Sequence, residues 1–407
     1  MAEGDRLPLG WACALDVLAR RRAAADPLDS VVATVCRERH LGPRERRLVG
    51  DLVFGWARHA QTVAGIVEQA LADEGGAKPR RREMDLAEIA LAEKFAGSSV
   101  DARVLDCLPA SLQAMVEDPS LVFDAARAPV PPWLEKRLRA GLPGSADDVL
   151  LALQRPAPFS VAVDPRQATR EQVLSALRHA GASAELSLVS ASGIRIADRF
   201  PLSKLDKPWR AASWPMDDGS QAVAHLVGAG PGERVLDLCA GGGGKCRLLV
   251  ATGASVVAAD VDESRLRRSL PAGAVGVVAD GRRAPFSAGA FDRVLVDAPC
   301  SGTGTLRRAP DLALRLREDD MDDLVSVQNA LLHAALSLVR PGGRVVYATC
   351  SLLQEENADV VHAVLATRKD ARALPLGGAF GDAAQGMFLP STHGTDGFFV
   401  ASITRLG

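Results

Sequence analysis

Apolar residues recur at intervals of three and four positions through the first 128 residues, which is the pattern of amphipathic helices. The segment RERRLVGDLVFGWARHAQTVAGIVEQAL, residues 44–71, is a long example. Gly42-Pro43 and the stretch GGAKPRRR, residues 75–82, interrupt this pattern and are predicted to be loops. Residues 1–128 are therefore predicted to form an all-α bundle with a core of its own.

The periodicity changes after a Pro-rich hinge, APVPPW, at residues 128–133, because proline cannot continue a helix. FSVAVD, residues 159–164, is predicted to be a strand, and TREQVLSALRHAG, residues 169–181, a helix with Thr169 as its N-cap. LSLVSASGIRIA, residues 186–197, again has the character of strands. Residues 129–205 are predicted to form a small α+β (RRM-like) module.

From residue 206 onward the chain alternates short apolar runs with helical segments. The runs are RVLDLCA, SVVAAD, GVVAD, RVLVDAP and RVVYATC. This alternation predicts a Rossmann-like α/β domain over residues 206–407, with helices on both faces of a mostly parallel sheet. In such sheets ligands bind beyond the carboxyl ends of the strands, where the polar residues of these runs fall.

The composition is that of a soluble, cytoplasmic protein with several domains. The 407 residues are 47% hydrophobic, and no uninterrupted apolar stretch is long enough to span a bilayer. The net charge of −2 lacks the excess of a general nucleic-acid binder, so only local basic clusters such as Arg307 and Arg308 are candidates for phosphate contacts. Because only 4% of the residues are aromatic, extensive stacking on bases is not expected.

The chain contains seven cysteines, which are Cys13, Cys36, Cys107, Cys239, Cys246, Cys300 and Cys350. Their odd number, with no CxxC pair and no histidine at ligand spacing, argues against a disulfide framework and against a metal site. In a reducing compartment each is predicted to be a free thiol, for which packing is the ordinary role. Cys13, Cys36 and Cys107 are predicted core residues, and Cys239 and Cys246 are predicted to pack in their loop.

The Gly-rich segment CAGGGGKC, residues 239–246, follows the first apolar run and begins a helix, so its backbone can approach a ligand closely. A P-loop would need Gly at Cys239 and Ser or Thr at Cys246, and a dinucleotide fingerprint would need a third Gly. The remaining interpretation is S-adenosylmethionine, with Asp260 on the ribose and Asp280 near the adenine. Either aspartate could instead simply cap the helix that follows it.

Six segments resemble the successive motifs of the RNA 5-methylcytosine methyltransferases of the NOL1/NOP2/Sun family. They are VLDLCAGGGGKC, AADVD, VVADG, VLVDAPCSGTGTLRRAPD, LVRPGGRVVYATCSLLQEEN and DGFFVA. The likeness covers nearly all of residues 206–407. LGPRERRLVGDLVFGWAR resembles the NusB-like RNA-binding domain of the family's bacterial small-subunit ribosomal RNA members.

The resemblance implies S-adenosylmethionine-dependent methylation of cytosine C5 in RNA, with small-subunit ribosomal RNA as the expected substrate and a monomeric enzyme. It implies that Cys350 attacks C6 of the base, that Cys300 assists release, and that Asp297 holds the target cytosine beside the cofactor. Because the base must be unpaired or flipped out, Arg307 and Arg308 are expected phosphate partners. The predicted cofactor-binding residues are Cys239, Ala240, Gly241, Gly242, Gly243, Gly244, Lys245, Asp260, Asp280 and Asp297.

Two other functions stay open at this point. One is a transfer-RNA methyltransferase of the same family, which the NusB-like region disfavours. The other is a non-catalytic RNA-binding assembly factor, which the presence of both Cys300 and Cys350 disfavours. A single titration with the cofactor would separate the second from an enzyme.

The chain departs from the family pattern at two places. In the first motif Gly242 stands where the family has Pro, and Cys246 where it has Thr. Glycine frees a turn that proline restricts, so weaker cofactor affinity is expected. In the small module the family's Arg-Val-Asn is Ala162-Val163-Asp164, which puts one expected RNA contact in doubt.

Overall fold

The computed structural model describes residues 7–24, 26–73, 79–121, 129–197 and 200–407. The chain divides into two compact units. The first comprises residues 1–136, 144–155 and 309–316, and the second comprises residues 137–143, 156–308 and 317–407. The predicted hinge at 128–133 lies partly outside the described residues.

The first unit is helical, as its periodicity predicts. The helices of residues 1–155 are α1 (Leu9–Ala23), α2 (Leu28–Glu38), α3 (Pro43–Asp73), α4 (Arg81–Phe95), α5 (Ala102–Leu105), α6 (Ala110–Glu117), α7 (Pro132–Gly141) and α8 (Ala146–Leu153). Leu18, Val53, Ile89 and Leu112 are buried together in its core. This confirms the predicted N-terminal helical region.

A short segment from much later in the chain completes this unit. Residues 309–316 include the 3₁₀ turn Pro310–Leu314. The backbone N–H of Leu28 donates to the buried Asp311 carboxylate at 3.2 Å, and Leu314 packs against the helical core. No local pattern in the sequence signals this return, because it depends on topology.

The small module at the start of the second unit has one four-stranded antiparallel sheet. Its elements are β1 (Phe159–Val163), α9 (Arg170–His179), β2 (Ala184–Leu186), β3 (Gly193–Ile196), α10 (Lys207–Ala212) and β4 (Ser213–Pro215). The strand order is β2-β3-β1-β4. Val173 and Leu177 of α9 are buried with Val161 and Ile194 of the sheet, so the helix covers one face.

Two details of this module differ from the pattern expected from its sequence. The predicted strand segment 186–197 is mostly a turn, and only its two ends belong to β2 and β3. The sheet also extends past residue 205, because β4 pairs with β1 through Trp214 and Ala162. The domain boundaries at 128 and 205 stay predictions.

A larger sheet follows. Its strands are β5 (Arg234–Asp237), β6 (Ser255–Asp260), β7 (Ala274–Val278), β8 (Phe291–Asp297), β9 (Val339–Thr349), β10 (Ala371–Ala373), β11 (Gln385–Phe388) and β12 (Phe398–Arg405). Their order is β10-β12-β9-β8-β5-β6-β7, and β11 pairs with β12. Strands β5 to β9 are parallel to one another, whereas β10, β11 and β12 pair antiparallel. All five predicted strands are present, which confirms the mostly parallel sheet.

Helices cover both faces of this sheet. They are α11 (Asp218–Leu226), α12 (Gly244–Ala251), α13 (Glu263–Ser269), α14 (Met321–Leu338), α15 (Ala358–Thr367) and α16 (Pro390–His393). Tyr347 of β9 is buried in the core that contains α14 and α15, whereas its neighbour Val346 is buried in the core that contains α11 and α12. Successive strand residues point to opposite faces, so β9 joins the two cores.

Short 3₁₀ turns connect these elements. They are Leu202–Lys204, Gly281–Arg283, Thr303–Thr305, Glu318–Asp320, Gln354–Glu356 and Gly378–Phe380. Among the described residues, every helix is too short or too polar to cross a membrane.

The N-terminus of α9 provides a test of the local sequence signal. The Thr169 hydroxyl accepts from the Gln172 N–H at 3.2 Å, and the Gln172 side chain accepts from the Thr169 N–H at 2.9 Å. Thr169→Ala removes the first bond and is expected to lower the free energy of unfolding by about 1 kcal/mol. Urea denaturation measures this change, with the exposed mid-helix substitution Ser175→Ala as the control. Equal midpoints for both variants would show that the cap does not stabilise the helix.

Candidate active site

The carboxyl ends of the central strands meet at one edge of the large sheet and form a cleft of about 350 Å³. Asp260 ends β6, Asp297 ends β8, and both line the cleft with Cys239, Gly241 and Asp280. Leu238, Val327 and Leu331 provide apolar walls. The volume is in the range of small-molecule sites, about 300–1,000 Å³. Five of the ten predicted cofactor residues therefore line one cavity.

The other five predicted cofactor residues build the loop behind this cleft. They are Ala240, Gly242, Gly243, Gly244 and Lys245. Gly241 and Gly243 have φ of 51° and 69°, a conformation that favours glycine, and α12 begins at Gly244. Gly242 has no such constraint, and a Cβ there would meet open space. Thus its replacement of proline reflects no steric demand in this loop.

Asp260 fixes the Gly-rich loop and also faces the cleft. Its carboxylate accepts from the Gly241 N–H at 2.7 Å and from the Asp262 N–H at 2.8 Å. Asp280 accepts from the backbone and the guanidinium of Arg282, and this contact lowers the pKa of Asp280. Both aspartates therefore have local structural partners and also line the cleft, so the two interpretations of them are compatible.

Asp297, in the wall of the cleft, has two ionisable neighbours, Lys245 and Asp237. The Lys245 ammonium donates to the Asp297 carboxylate at 2.7 Å. Burial lowers the pKa of Lys245, but the charge and hydrogen bond of Asp297 outweigh burial and leave the pKa raised. Asp237 is 1% exposed, and neither of its carboxylate oxygens has a hydrogen-bond partner among the described residues. Burial, reinforced by the nearby Asp297 charge, raises the pKa of Asp237 to about 7.

Sequence reasoning missed Asp237 as a functional candidate. It stands at the aspartate of the family's first motif, so its position was visible in the sequence. What the sequence cannot show is that this carboxylate is buried with no hydrogen-bond partner in the described part of the chain, since that depends on which groups the fold brings near it.

The two thiols singled out by the sequence lie side by side. Cys300 follows β8, Cys350 follows β9, and their sulfur atoms are 3.3 Å apart. The contact with Cys350, together with burial, raises the pKa of Cys300 well above its usual value. Cys300 therefore keeps its proton near neutral pH. The arrangement supplies one protonated thiol within hydrogen-bond distance of a second sulfur.

The loops that carry the two thiols share hydrogen bonds with Glu356, which is fully buried. Its carboxylate accepts from the Ser301 N–H at 2.8 Å, from the Ser301 and Ser351 hydroxyls, and from the Gln328 amide at 2.9 Å. Sequence reasoning did not single out this residue, although it lies in the motif segment QEEN. The only signal was its proximity in sequence to Cys350.

The remaining cysteines pack. Cys13, Cys36 and Cys246 are buried, and Cys107 packs against the helical core. Cys239 is half-buried, and burial raises the pKa of its thiol strongly. Within the described residues, no cluster of three or more His, Cys, Asp or Glu side chains is arranged to hold a metal ion.

The two predicted phosphate contacts differ in accessibility. Arg307 is only 5% exposed, and its guanidinium donates to the Gly394 carbonyl at 2.5 Å and contacts Asp396. Its burial does not fit the predicted phosphate contact. The Arg308 side chain is 39% exposed while it pairs with Asp396 at 2.8 Å and Asp217 at 3.2 Å. Arg308 is the more accessible of the two, and the phosphate contacts of both stay predictions.

The carboxylate that departs from the family pattern in the small module is also internal. Asp164 is 1% exposed and accepts from Arg166 and Gln167, both at 2.9 Å. Burial opposes ionisation, but these hydrogen bonds lower the pKa of Asp164 to about 2. Asp164 therefore adds no bare negative charge to the surface of the module.

Comparison with known proteins identifies two matching family descriptions. Residues 224–404 match the 16S rRNA methyltransferase RsmB/F family, and residues 130–203 match the ferredoxin-like domain of RsmF/B-like methyltransferases. Together these matches cover nearly all of the large sheet and most of the small module, whose α10 and β4 lie between the two matched ranges. They agree with the α+β and α/β fold classes described above.

Among solved structures, PH0851 shares the fold, with a TM-score of 0.78, 20% identity, and coverage of 97% of this chain and 98% of that one. The NSun6 structure from Pyrococcus horikoshii has a TM-score of 0.56 and 18% identity over 68% of this chain and 98% of that one. At these identities the likeness concerns the fold alone. It confirms the predicted three-part architecture.

Curated relatives share more of the sequence. Ribosomal RNA small subunit methyltransferase B of Pseudomonas syringae is 36% identical over 68% of this chain, and the match spans 66% of that protein, just under two thirds of its length. The protein of the same name from Xylella fastidiosa is 37% identical, over 68% of both chains. That from Pseudomonas putida is 34% identical, over 72% of both. The chain therefore belongs to the RsmB/F family of 16S rRNA methyltransferases, as its motifs predict.

Proposed function

We propose that this protein methylates C5 of a cytosine in small-subunit ribosomal RNA, with S-adenosylmethionine as the methyl donor and a covalent bond between Cys350 and C6 of the base. The observation that carries this proposal is the 3.3 Å approach of two thiols contributed by neighbouring strands. Family membership supports the methyl donor, and the names of the curated relatives support the substrate.

The cleft fits a cationic nucleoside. Asp260, Asp280 and Asp297 line it, and Asp237 lies in the same charged group with two carboxylate oxygens that lack partners among the described residues. S-adenosylmethionine carries an ammonium and a sulfonium, so it complements this excess of carboxylates. The Gly-rich loop, Asp260 and Asp280 would hold the cofactor. When bound, it supplies an electrophilic methyl group.

Cys350 is the nucleophile that attacks C6, and this attack is needed because C5 of free cytosine is too weakly nucleophilic to accept the methyl group. Addition of its sulfur to C6 opens the C5–C6 double bond and makes C5 electron-rich. The Asp297 carboxyl faces the cleft and is held by Lys245 at 2.7 Å, so Asp297 can hold the ring edge, and the Lys245 ammonium can stabilise the negative charge that sulfur addition places on the ring. Attack and charge stabilisation therefore come from adjacent strands.

Cys300 assists release because it keeps its proton. After methyl transfer the C5 proton leaves to a base, the bond between C6 and the Cys350 sulfur breaks, and the aromatic ring is restored. The Cys300 thiol is within hydrogen-bond distance of that sulfur and can stabilise it as it departs. Its raised pKa makes Cys300 a poor nucleophile near neutral pH.

The substrate can be tested with purified protein and labelled S-adenosylmethionine. Small-subunit ribosomal RNA and a transfer-RNA pool are offered separately, and bisulfite sequencing locates any 5-methylcytosine. Methylation confined to ribosomal RNA supports the proposal, whereas methylation of transfer RNA alone would support the related family activity. Cofactor binding without methylation of either RNA would favour a non-catalytic role.

The roles of the two thiols are tested by trapping the covalent intermediate. Cys300→Ala is expected to accumulate a protein–RNA adduct that survives denaturing electrophoresis, because release is impaired after attack. Cys350→Ala is expected to form no adduct and to lose methyl transfer. Cys36→Ala, in the helical core, is the control and is expected to turn over without accumulating an adduct. The opposite pattern for the first two variants would reverse the assignment.

Gly242→Pro is expected to increase the affinity of the Gly-rich loop for the cofactor. The substitution restricts the free loop, and the structure shows open space around this position. We expect Kd for S-adenosylmethionine to fall about two- to fivefold, corresponding to about 0.4–1 kcal/mol. Isothermal titration calorimetry measures it, with Gly242→Ala as the matched control that restricts the backbone less. Unchanged or weaker binding would show that loop freedom does not limit affinity.

Asp237 predicts a pH dependence of stability. Its pKa is about 7 in the folded protein and 3.8 ordinarily, so the folded state binds this proton more tightly. The part of the wild-type stability that comes from this proton is therefore lost as pH rises from about 4 to about 7. Asp237→Asn lacks this loss, so its advantage over wild type grows between about pH 4 and about pH 7, by on the order of a few kcal/mol.

Thermal melts of the cofactor-free proteins measure this difference. The control is Asp319→Asn, which neutralises an exposed carboxylate. Its curve is expected to run parallel to that of the wild type. A constant gap between Asp237→Asn and wild type across this pH range would contradict a proton bound at Asp237.

A further inference from the structure

Glu356 connects the residues that immediately follow the two thiols. Ser301 follows Cys300, and its N–H and hydroxyl donate to the Glu356 carboxylate at 2.8 and 2.5 Å. Ser351 follows Cys350, and its hydroxyl donates to the same carboxylate. One buried side chain therefore holds both thiol loops at the position next to each sulfur.

Other contacts reinforce this connection. The Ser301 and Ser351 hydroxyls are 3.2 Å apart, and the Leu352 N–H donates to the Thr303 hydroxyl at 2.8 Å. The Gln328 amide of α14 donates both to Glu356 and to the Pro299 carbonyl, each at 2.9 Å. The carboxylate thus joins β8, β9 and α14 where the loops leave the sheet.

A buried carboxylate is costly unless its oxygens are fully hydrogen-bonded. Glu356 is 0% exposed, and within the described part of the chain no lysine or arginine forms an ion pair with it. Its partners include a backbone N–H and an amide N–H, which can only donate. Both N–H groups donate to one carboxylate oxygen, and the Ser301 and Ser351 hydroxyls donate to the other. An NH₂ group at the first oxygen would oppose donor to donor, and at the second it would force both hydroxyls to turn round and accept.

We propose that Glu356 is a positioning residue that holds Cys300 and Cys350 at reacting distance from each other. This inference rests on the proposed function, since the separation of the sulfurs matters only if both take part in one reaction. Glu356 is fully buried and its oxygens are bonded to the two thiol loops and to α14, so it acts through the loops rather than on the cofactor or the base. Its loss is expected to affect turnover more than binding.

The kinetic test is Glu356→Gln, which keeps the size of the side chain and changes one acceptor into a donor. We expect kcat to fall about ten- to a hundredfold, because small displacements of reacting groups reduce rate by such factors, while KM for RNA stays within about twofold. The matched control is Glu355→Gln, the same change one residue earlier, at a half-buried side chain that pairs with Arg137 at 2.6 Å. The control is expected to retain wild-type kcat.

A second readout measures the thiol pair without catalysis. Phenylarsine oxide condenses with two neighbouring thiols to form two As–S bonds, and its oxygen leaves as water with the two thiol protons. Mass spectrometry after dilution detects the retained adduct. Wild type and Glu355→Gln should retain it, Cys300→Ala should not, and Glu356→Gln should require at least about tenfold more reagent.

The outcomes separate this inference from the proposed function. Wild-type kcat together with wild-type arsenical binding in Glu356→Gln would overturn the positioning role even if the enzyme is active. If arsenical binding depends on Glu356 but the protein has no methyltransferase activity, the positioning role of Glu356 is supported and the proposed function is wrong. If Glu356→Gln does not fold, the double variant Ser301→Ala/Ser351→Ala replaces it. That variant must show the same two losses, or the inference is wrong.

Discussion

The parallel pairing of β8 with β9 is the constraint on which the site depends. Its register places Asp297 opposite Ala348, and the Ala298 N–H donates to the Ala348 carbonyl at 2.8 Å. Because both strands run in the same direction and end at the same level, the residues that follow them emerge at one edge of the sheet. Cys300 and Cys350 meet there although fifty positions separate them in sequence.

The same edge also concentrates negative charge. Asp237, Asp260 and Asp297 end three adjacent strands, and Lys245 is bonded to only one of them. Such crowding is unfavourable in the free protein, which is why burial and the neighbouring charge raise the pKa of Asp237. A cation bound in the cleft would relieve this repulsion. The repulsion that destabilises the free protein therefore also favours binding of a cationic ligand. The strand-end carboxylates therefore favour a ligand that carries positive charge where it meets them.

Local signals in the sequence predicted the elements well. Thr169 and Gln172 form the capping box expected where a helix begins, and the five apolar runs all became parallel strands. The convergence of Cys300 and Cys350 also followed from the rule for strand ends. Each of these signals depends on neighbouring residues or on a general property of parallel sheets, so one sequence was sufficient.

Features that depend on distant partners could not be predicted. The burial of Arg307 is set by Asp396 and Gly394, nearly ninety residues later, and β4 joined the small sheet from beyond the expected boundary. The demand for an acceptor at Glu356 arises from donors on three different elements. Composition and periodicity carry no information about such long-range contacts, because none of these residues has a distinctive pattern in its own segment.

Close backbone contacts connect the loop of Cys350 with the segment that leads to the exposed Arg308. The Gly304 N–H donates to the Cys350 carbonyl at 2.9 Å, and the Gly397 N–H donates to the Gly304 carbonyl at 2.8 Å. A Cβ on Gly304 would lie 2.1 Å from the Gly397 carbonyl oxygen, so only glycine permits this approach. Asp396, the neighbour of Gly397, pairs with Arg308. A phosphate bound by Arg308 would compete with Asp396 for the guanidinium. Under the proposed function this competition would act on the segment whose Gly304 N–H is bonded to the Cys350 carbonyl, and so would link RNA binding to the position of that thiol.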